Sequence, residues 1–136
     1  MIDWSKLVTA ETKQTEADAA AKAAAYAKNN GAYEAAIASM TAGYPPSEIA
    51  TWEVQRQEAA AWDADSQAPT PWVDAAAAAR GIDRAEYLSR TLAKASAFAM
   101  ASAFLTGRRQ AINDLINITS PADLPALEID YTLPGA

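Results

Sequence analysis

Large apolar residues recur three and four positions apart over most of this chain, and that spacing predicts helices nearly throughout. The run "TAETKQTEADAAAKAAAYAKN", Thr9 to Asn29, is helical by composition. Glu11 and Glu16 lie toward its start and Lys28 toward its end, the polarity the helix dipole favours. Its apolar face is nearly all alanine, with Tyr26 the one large residue. Asn29-Asn30-Gly31 predicts a stop, because Asn and Gly tolerate the left-handed cap conformation. A short second helix from Ala32 to about Thr41 then carries Tyr33, Ile37 and Met40 at i, i+4, i+7. Gly43-Tyr44-Pro45-Pro46 reads as a rigid connector.

Pro46 predicts the first turn of a third helix, where a missing N–H costs nothing, and Glu48 lies near its positive end. This helix holds Ile49, Trp52 and Trp62 and ends in "DADSQAPTPW". Trp52 and Trp62 point roughly 80° apart at ten residues' separation, so they share a broad face rather than one line. The next helix is expected to open with Thr70 as N-cap, Pro71 at its first position and Asp74 in its first turns, and to stop at Gly81 after Arg80. Asp83-Arg84-Ala85-Glu86 predicts a capping box. The helix it opens meets no breaker but Gly107 before Ser120-Pro121. Unbroken, it is about 50 Å long. A compact chain of this size has a radius of gyration near 14 Å, so the helix is expected to bend at Gly107 or protrude. One row along it runs Leu88, Thr91, Ala95, Phe98, Ser102, Leu105, Arg109, Ile112, Ile116, and a second adds Ala101, Phe104, Arg108 and Leu115. Arg108-Arg109 thus falls inside an apolar stripe. They read as the solvated end of a protruding helix or as a salt bridge to a partner. In the tail, Leu127, Ile129, Tyr131 and Leu133 alternate with Glu128, Asp130 and Thr132, the pattern of an extended strand with one apolar side. It is the lone strand signal, so it either packs over its own helices or adds to a neighbour's sheet.

Composition sharpens this picture. With 136 residues the chain suits one core, and 51% hydrophobic with 21% charged residues suits a folded, soluble protein. Much of the apolar share is alanine, which favours helices but buries little surface. Each Trp, Tyr, Phe, Leu and Ile therefore carries an unusual share of the packing. The tryptophans have two readings: Trp52, Trp62 and Trp72 fill the core, or at least one anchors a partner. With so much alanine at least two are expected in the core, and Trp72, beside the turn, is the one expected to meet a partner.

A net charge of -6 opposes binding to a phosphate backbone. Without Cys there is no disulfide or thiolate zinc site, and without His the usual general base and commonest metal ligand are missing. Asp63-Ala64-Asp65-Ser66 lacks the glycine and distal glutamate of a calcium loop, and Asp123 with Glu128 has no supporting catalytic pattern. No phosphate-loop, nucleophile-elbow or dinucleotide fingerprint occurs. The expectation is a non-enzyme with no cofactor and no metal. "MIDWSK" does not read as a signal leader, and residues 95 to 105 are too short to span a bilayer, so a cytoplasmic origin is expected.

The stretch "YPPSEIATWEVQRQEAAAWDADSQAPTPWVDAAAAARGI", followed by "LAKASAFAMASAFLTGRRQAINDLI", resembles the helical region of phage tail fibre assembly proteins and related phage tail proteins. The similar features are Thr51, Trp52, Gln55, Glu58, Ala59 and Trp62; Ala68 to Pro71 with Asp74; Ala77 to Gly81; and Gly107 to Gln110. They cover about residues 44 to 117. The resemblance implies a chaperone that holds a tail fibre soluble during assembly in the host cytoplasm, with the fibre or other tail proteins as partners. Such proteins often begin with a small β domain or a short D-W…R segment where this chain has an alanine-rich helix. The alternative is a structural component of the virion tail or baseplate. The expected fold is all-α, an elongated helical hairpin or bundle with one long C-terminal helix and an extended C-terminal tail. Its segments are an N-terminal helical part (1–43), a helical module (44–118) and the tail (119–136). The residues expected to meet a partner are Trp52, Trp62, Trp72, Arg108, Arg109, Leu127, Ile129, Tyr131 and Leu133, and self-association stays open.

Overall fold

Asp3 starts the first helix: its Oδ1 accepts from the backbone N–H of Ser5 at 3.1 Å and of Lys6 at 3.4 Å, and from the Ser5 hydroxyl at 2.6 Å. The computed structural model describes residues 3–135; Met1 and Ile2 of the expected N-terminal segment and Ala136 of the expected tail lie outside them. Five α-helices follow: α1 (Trp4–Thr41), α2 (Pro46–Ile49), α3 (Trp52–Ala64), α4 (Pro71–Arg80) and α5 (Arg84–Ile118). A 3-10 turn at Pro121–Ala126 precedes the extended residues 127–133. No strand forms among the described residues, and the fold is all-α.

The chain divides into two compact units, which cut across the three segments expected from sequence. One comprises residues 1–38 and 104–136 and the other residues 39–103.

In the first unit α1 and the last part of α5 run antiparallel: Tyr26 bonds to Asn117, Asn29 to Asn113, and Tyr33 to Thr106. Ala25, Ile112, Ile116 and Leu124 form the core, with Leu127, Ile129 and Tyr131 of the tail packed against it. The expected stop at Asn29-Asn30-Gly31 does not occur. α1 passes through it because both amides are engaged by tertiary partners. Asn29 is fully buried, and its Nδ2 donates to the Arg109 carbonyl at 3.2 Å and to Asn113 Oδ1 at 2.9 Å. Its Oδ1 accepts from the Tyr131 hydroxyl. Asn30 Oδ1 accepts from Arg109 Nε at 2.9 Å. Three bonds made in the helical conformation outweigh the modest preference of an asparagine for a cap.

The second unit has Ala59, Val73 and Leu88 at its centre, ringed by Trp62, Trp72, Tyr87 and Leu92. Two expected helix starts differ in detail. The helix begun by Pro46 is one turn, α2, after which Ala50-Thr51 re-aims the chain into α3; the Thr51 hydroxyl donates to the Glu48 carbonyl at 2.6 Å. Thr70 stands at the N-cap of α4, as expected, but its side chain makes no cap bond. Its hydroxyl, almost wholly buried, donates to Asp74 Oδ1 at 2.8 Å and accepts from Arg84 Nε at 2.8 Å. The N-terminus of α4 is capped across the helix pair by Glu58, whose carboxylate accepts from the N–H groups of Trp72 at 2.7 Å and Val73 at 3.3 Å. A carboxylate is a better acceptor than a hydroxyl at a positive helix end, which frees Thr70 for its buried network. Gly81 closes α4 with φ 79°, the left-handed conformation expected there.

Asp83 caps α5, accepting from the N–H groups of Ala85 at 3.1 Å and Glu86 at 3.3 Å, but the capping box is half made because Glu86 pairs with Arg90. α5 runs unbroken through Gly107.

Candidate protein-binding surfaces

Trp62 and Trp72 are both half-buried against Ala59, Val73 and Leu88. Trp72 meets Tyr87 edge to face, with ring centroids 6.3 Å apart. Trp72, the tryptophan expected to meet a partner, is thus packed on one side against the core of its unit and stays half-buried, while its backbone N–H is held by Glu58. Burial raises the Tyr87 pKa above its ordinary value, the nearby Arg80 opposing the shift.

Trp52 has different neighbours. Its ring stands between Tyr44 of the connector, at 5.1 Å, and Phe98 of α5, at 6.0 Å, both edge to face. Tyr44 and Phe98 are exposed, and Trp52 is half-buried between them. The three rings form one row of edge-to-face contacts, half-buried at its centre and exposed at both ends. The row is a partly exposed aromatic surface, the type of residue set that dominates protein interfaces. Beneath it Gln55 Nε2 donates to the Thr51 hydroxyl at 2.9 Å, and Gln55 Oε1 accepts from Tyr87 at 3.3 Å.

No protein-family model, curated protein or solved structure matches this chain.

The remaining candidates gather in the other unit. Arg109 donates to Asn30 and holds its guanidinium 5.9 Å from the centre of the Tyr33 ring. Arg108 Nε donates to the backbone carbonyl of Asp130 at 3.0 Å. Both guanidiniums thus bind within the chain. Arg108 pins the tail, and Tyr131 adds a bond to Asn29 and a tilted contact with Tyr33, centroids 6.1 Å apart. Leu127, Ile129, Tyr131 and Leu133 are half-buried, while Glu128, Asp130 and Thr132 are exposed. The tail keeps the alternation of a strand but lies over its own helices, held by side chains instead of a ladder. Burial pushes the Tyr131 hydroxyl above its usual pKa against the pull of Arg109 and Arg108. The Asp130 carboxyl is held below its usual range by bonds from the Thr132 hydroxyl and N–H, the latter at 2.9 Å. Beside the tail a depression of about 150 Å³ is lined by Ala21, Ala24, Ala25, Lys28, Leu124, Pro125 and Ile129. That is well under the roughly 300 Å³ at which small-molecule sites begin.

Among the described residues no helix is long and apolar enough to cross a membrane. Sequence reasoning missed Tyr44, Asn29 and the Thr70–Asp74–Arg84 network. Thr70 and Asp74 of that network, and Glu58, carried a signal as positions of the pattern that covers residues 44 to 117.

Proposed function

We propose that this protein binds protein and performs no chemistry, acting in the host cytoplasm as an assembly chaperone for a phage tail fibre. The observation that carries the reading is the aromatic row Tyr44–Trp52–Phe98, which lies within the segment that resembles tail fibre assembly proteins. Two further features support it. The polar positions of that segment, Gln55, Glu58, Thr70 and Asp74, each bond to a residue of another element: Tyr87, Trp72 and, for the last two, Arg84. The aromatic row then provides a preformed apolar contact for a fibre segment that would otherwise aggregate, with little conformational entropy to lose on binding.

Co-expression of the fibre with this protein tests the reading. The wild type is expected to raise soluble, trimeric fibre, and Trp52→Ala with Phe98→Ala to weaken fibre capture about tenfold or more with helicity retained. Unchanged capture by that double variant refutes the surface. Mass spectrometry of purified particles tests the role: a chaperone is left behind, whereas presence at fixed stoichiometry marks a structural component of the tail or baseplate.

A further inference from the structure

α5 carries a second apolar row that the interior does not use. Leu105, Ile112 and Ile116 are buried, whereas Phe104, Leu115 and Ile118 remain 37, 41 and 81% exposed. Ala111 is exposed with them. At about 100° per residue these four positions fall within a stripe of roughly 60°, beside the face that meets α1. Gly107 lies in the same stretch, and nothing in its own chain asks for a glycine. It sits inside the helix, and a Cβ there would meet nothing within 4 Å. Glycine destabilises a helix interior relative to alanine, and at this position it leaves room for a second helix to come close.

We propose that this stripe pairs with the same stripe of a second copy, antiparallel, about a twofold axis through Ala111. In such a contact residue i meets j and j meets i. With Ala111 opposite itself, Phe104 lies opposite Ile118, Gly107 opposite Leu115, and Arg108 opposite Asp114. Each pairing is complementary: large apolar with large apolar, a missing side chain with a leucine, a guanidinium with a carboxylate. Parallel pairing would instead set Arg108 on Arg108 and Asp114 on Asp114, so charge selects the antiparallel sense. Arg108 is pre-positioned for this role. Its Nε is held by the Asp130 carbonyl, a bond that uses one of the guanidinium's N–H donors and leaves the others for a carboxylate. One helix stripe buries less than the roughly 800 Å² per partner of a standard interface, so the dimer is weak, with Kd on the order of tens of micromolar.

Sedimentation velocity of the full chain over roughly 1–500 µM is expected to show a monomer–dimer equilibrium. Asp114→Arg and Arg108→Glu each set like charges at both ends of the contact, and each is expected to weaken the dimer at least tenfold. Mixed in equal amounts they restore it, because every charge then meets its opposite. Gly107→Ala is expected to raise the melting temperature while weakening the dimer, a pairing of effects that a purely intrachain role for Gly107 would not produce. Since Arg108 also holds the tail, Ile118→Asp supplies a disrupting change away from it. The chain has no cysteine, so Ala111→Cys should cross-link to its mate on oxidation. A wild type that stays monomeric overturns the proposal. So does a dimer that Asp114→Arg and Ile118→Asp leave intact, or a charge-swapped mixture that stays apart.

Discussion

Replacing Asn29 by alanine separates two accounts of the same residue. As a helix stop, Asn29 would gain from alanine, the better helix former by roughly 0.6 kcal/mol in a helix interior. As the buried anchor between α1, α5 and the tail, it would lose three hydrogen bonds: to the Arg109 carbonyl, to Asn113 and from Tyr131. Such bonds contribute about 1 kcal/mol each. The Arg109 carbonyl and the two half-buried partners recover part of this through the helix ladder and water, while the alanine leaves a small cavity. Set against the propensity gain, the net cost is about 2 kcal/mol. For a chain of this size that lowers Tm by on the order of 8 °C. Urea unfolding followed by far-UV circular dichroism, paired with calorimetry, gives the number. Asn30→Ala is the comparison, since Asn30 is exposed and loses only the bond from Arg109. Its cost should stay within about 0.5 kcal/mol. An Asn29→Ala protein as stable as wild type, or more so, refutes the anchor.

Gly31→Ala should stabilise by about 0.5–1 kcal/mol in the same assay, because Gly31 is helical here and an added Cβ meets nothing within 4 Å; a loss would mean the backbone needs glycine. Glu58→Ala strips the cap from α4 and should cost about 1–2 kcal/mol, seen as a lower urea midpoint, while an unchanged midpoint would show that the cap contributes nothing. Arg56 and Gln57 hold the Glu53 carboxyl down to about 2, so its NMR titration should fall well below that of an ordinary glutamate; the group's contribution is present above about pH 4.5 and lost as pH falls toward 2. Tyr131 titrates above its ordinary value when folded, so its contribution is complete below about pH 10 and lost as pH rises through the folded pKa. Tail release in that window, read by tyrosinate absorbance against a Tyr131→Phe control, checks it.

Where local chemistry decides, residue type was informative. Pro46, Pro71 and Gly81 mark helix ends through their own backbone restrictions, and each stands at the end it predicted. The unbroken run from Arg84 to Ile118 follows from good helix formers with one glycine. The alternation in residues 127–133 survives as alternating burial, because an extended chain over an apolar surface turns every second side chain inward.

Where a residue's neighbours lie far along the chain, its type misled. Asn29 and Gly31 have the local preferences of a stop, yet partners 80 and 84 residues away keep α1 helical. Thr70 holds the cap position its type predicts, but Glu58, from another helix, accepts the N–H bonds there. The three tryptophans are equivalent by spacing. Packing alone distinguishes Trp62 and Trp72, against Ala59, Val73 and Leu88, from Trp52, held between Tyr44 and Phe98. Sequence by itself determined that this chain would be helical and where proline and glycine would punctuate it, since those preferences act within a few residues. Tertiary structure alone decided which polar groups would be buried together, that the tail would cover its own helices, and which aromatic rings would pack against one another. Those outcomes depend on distances between segments that no local preference encodes.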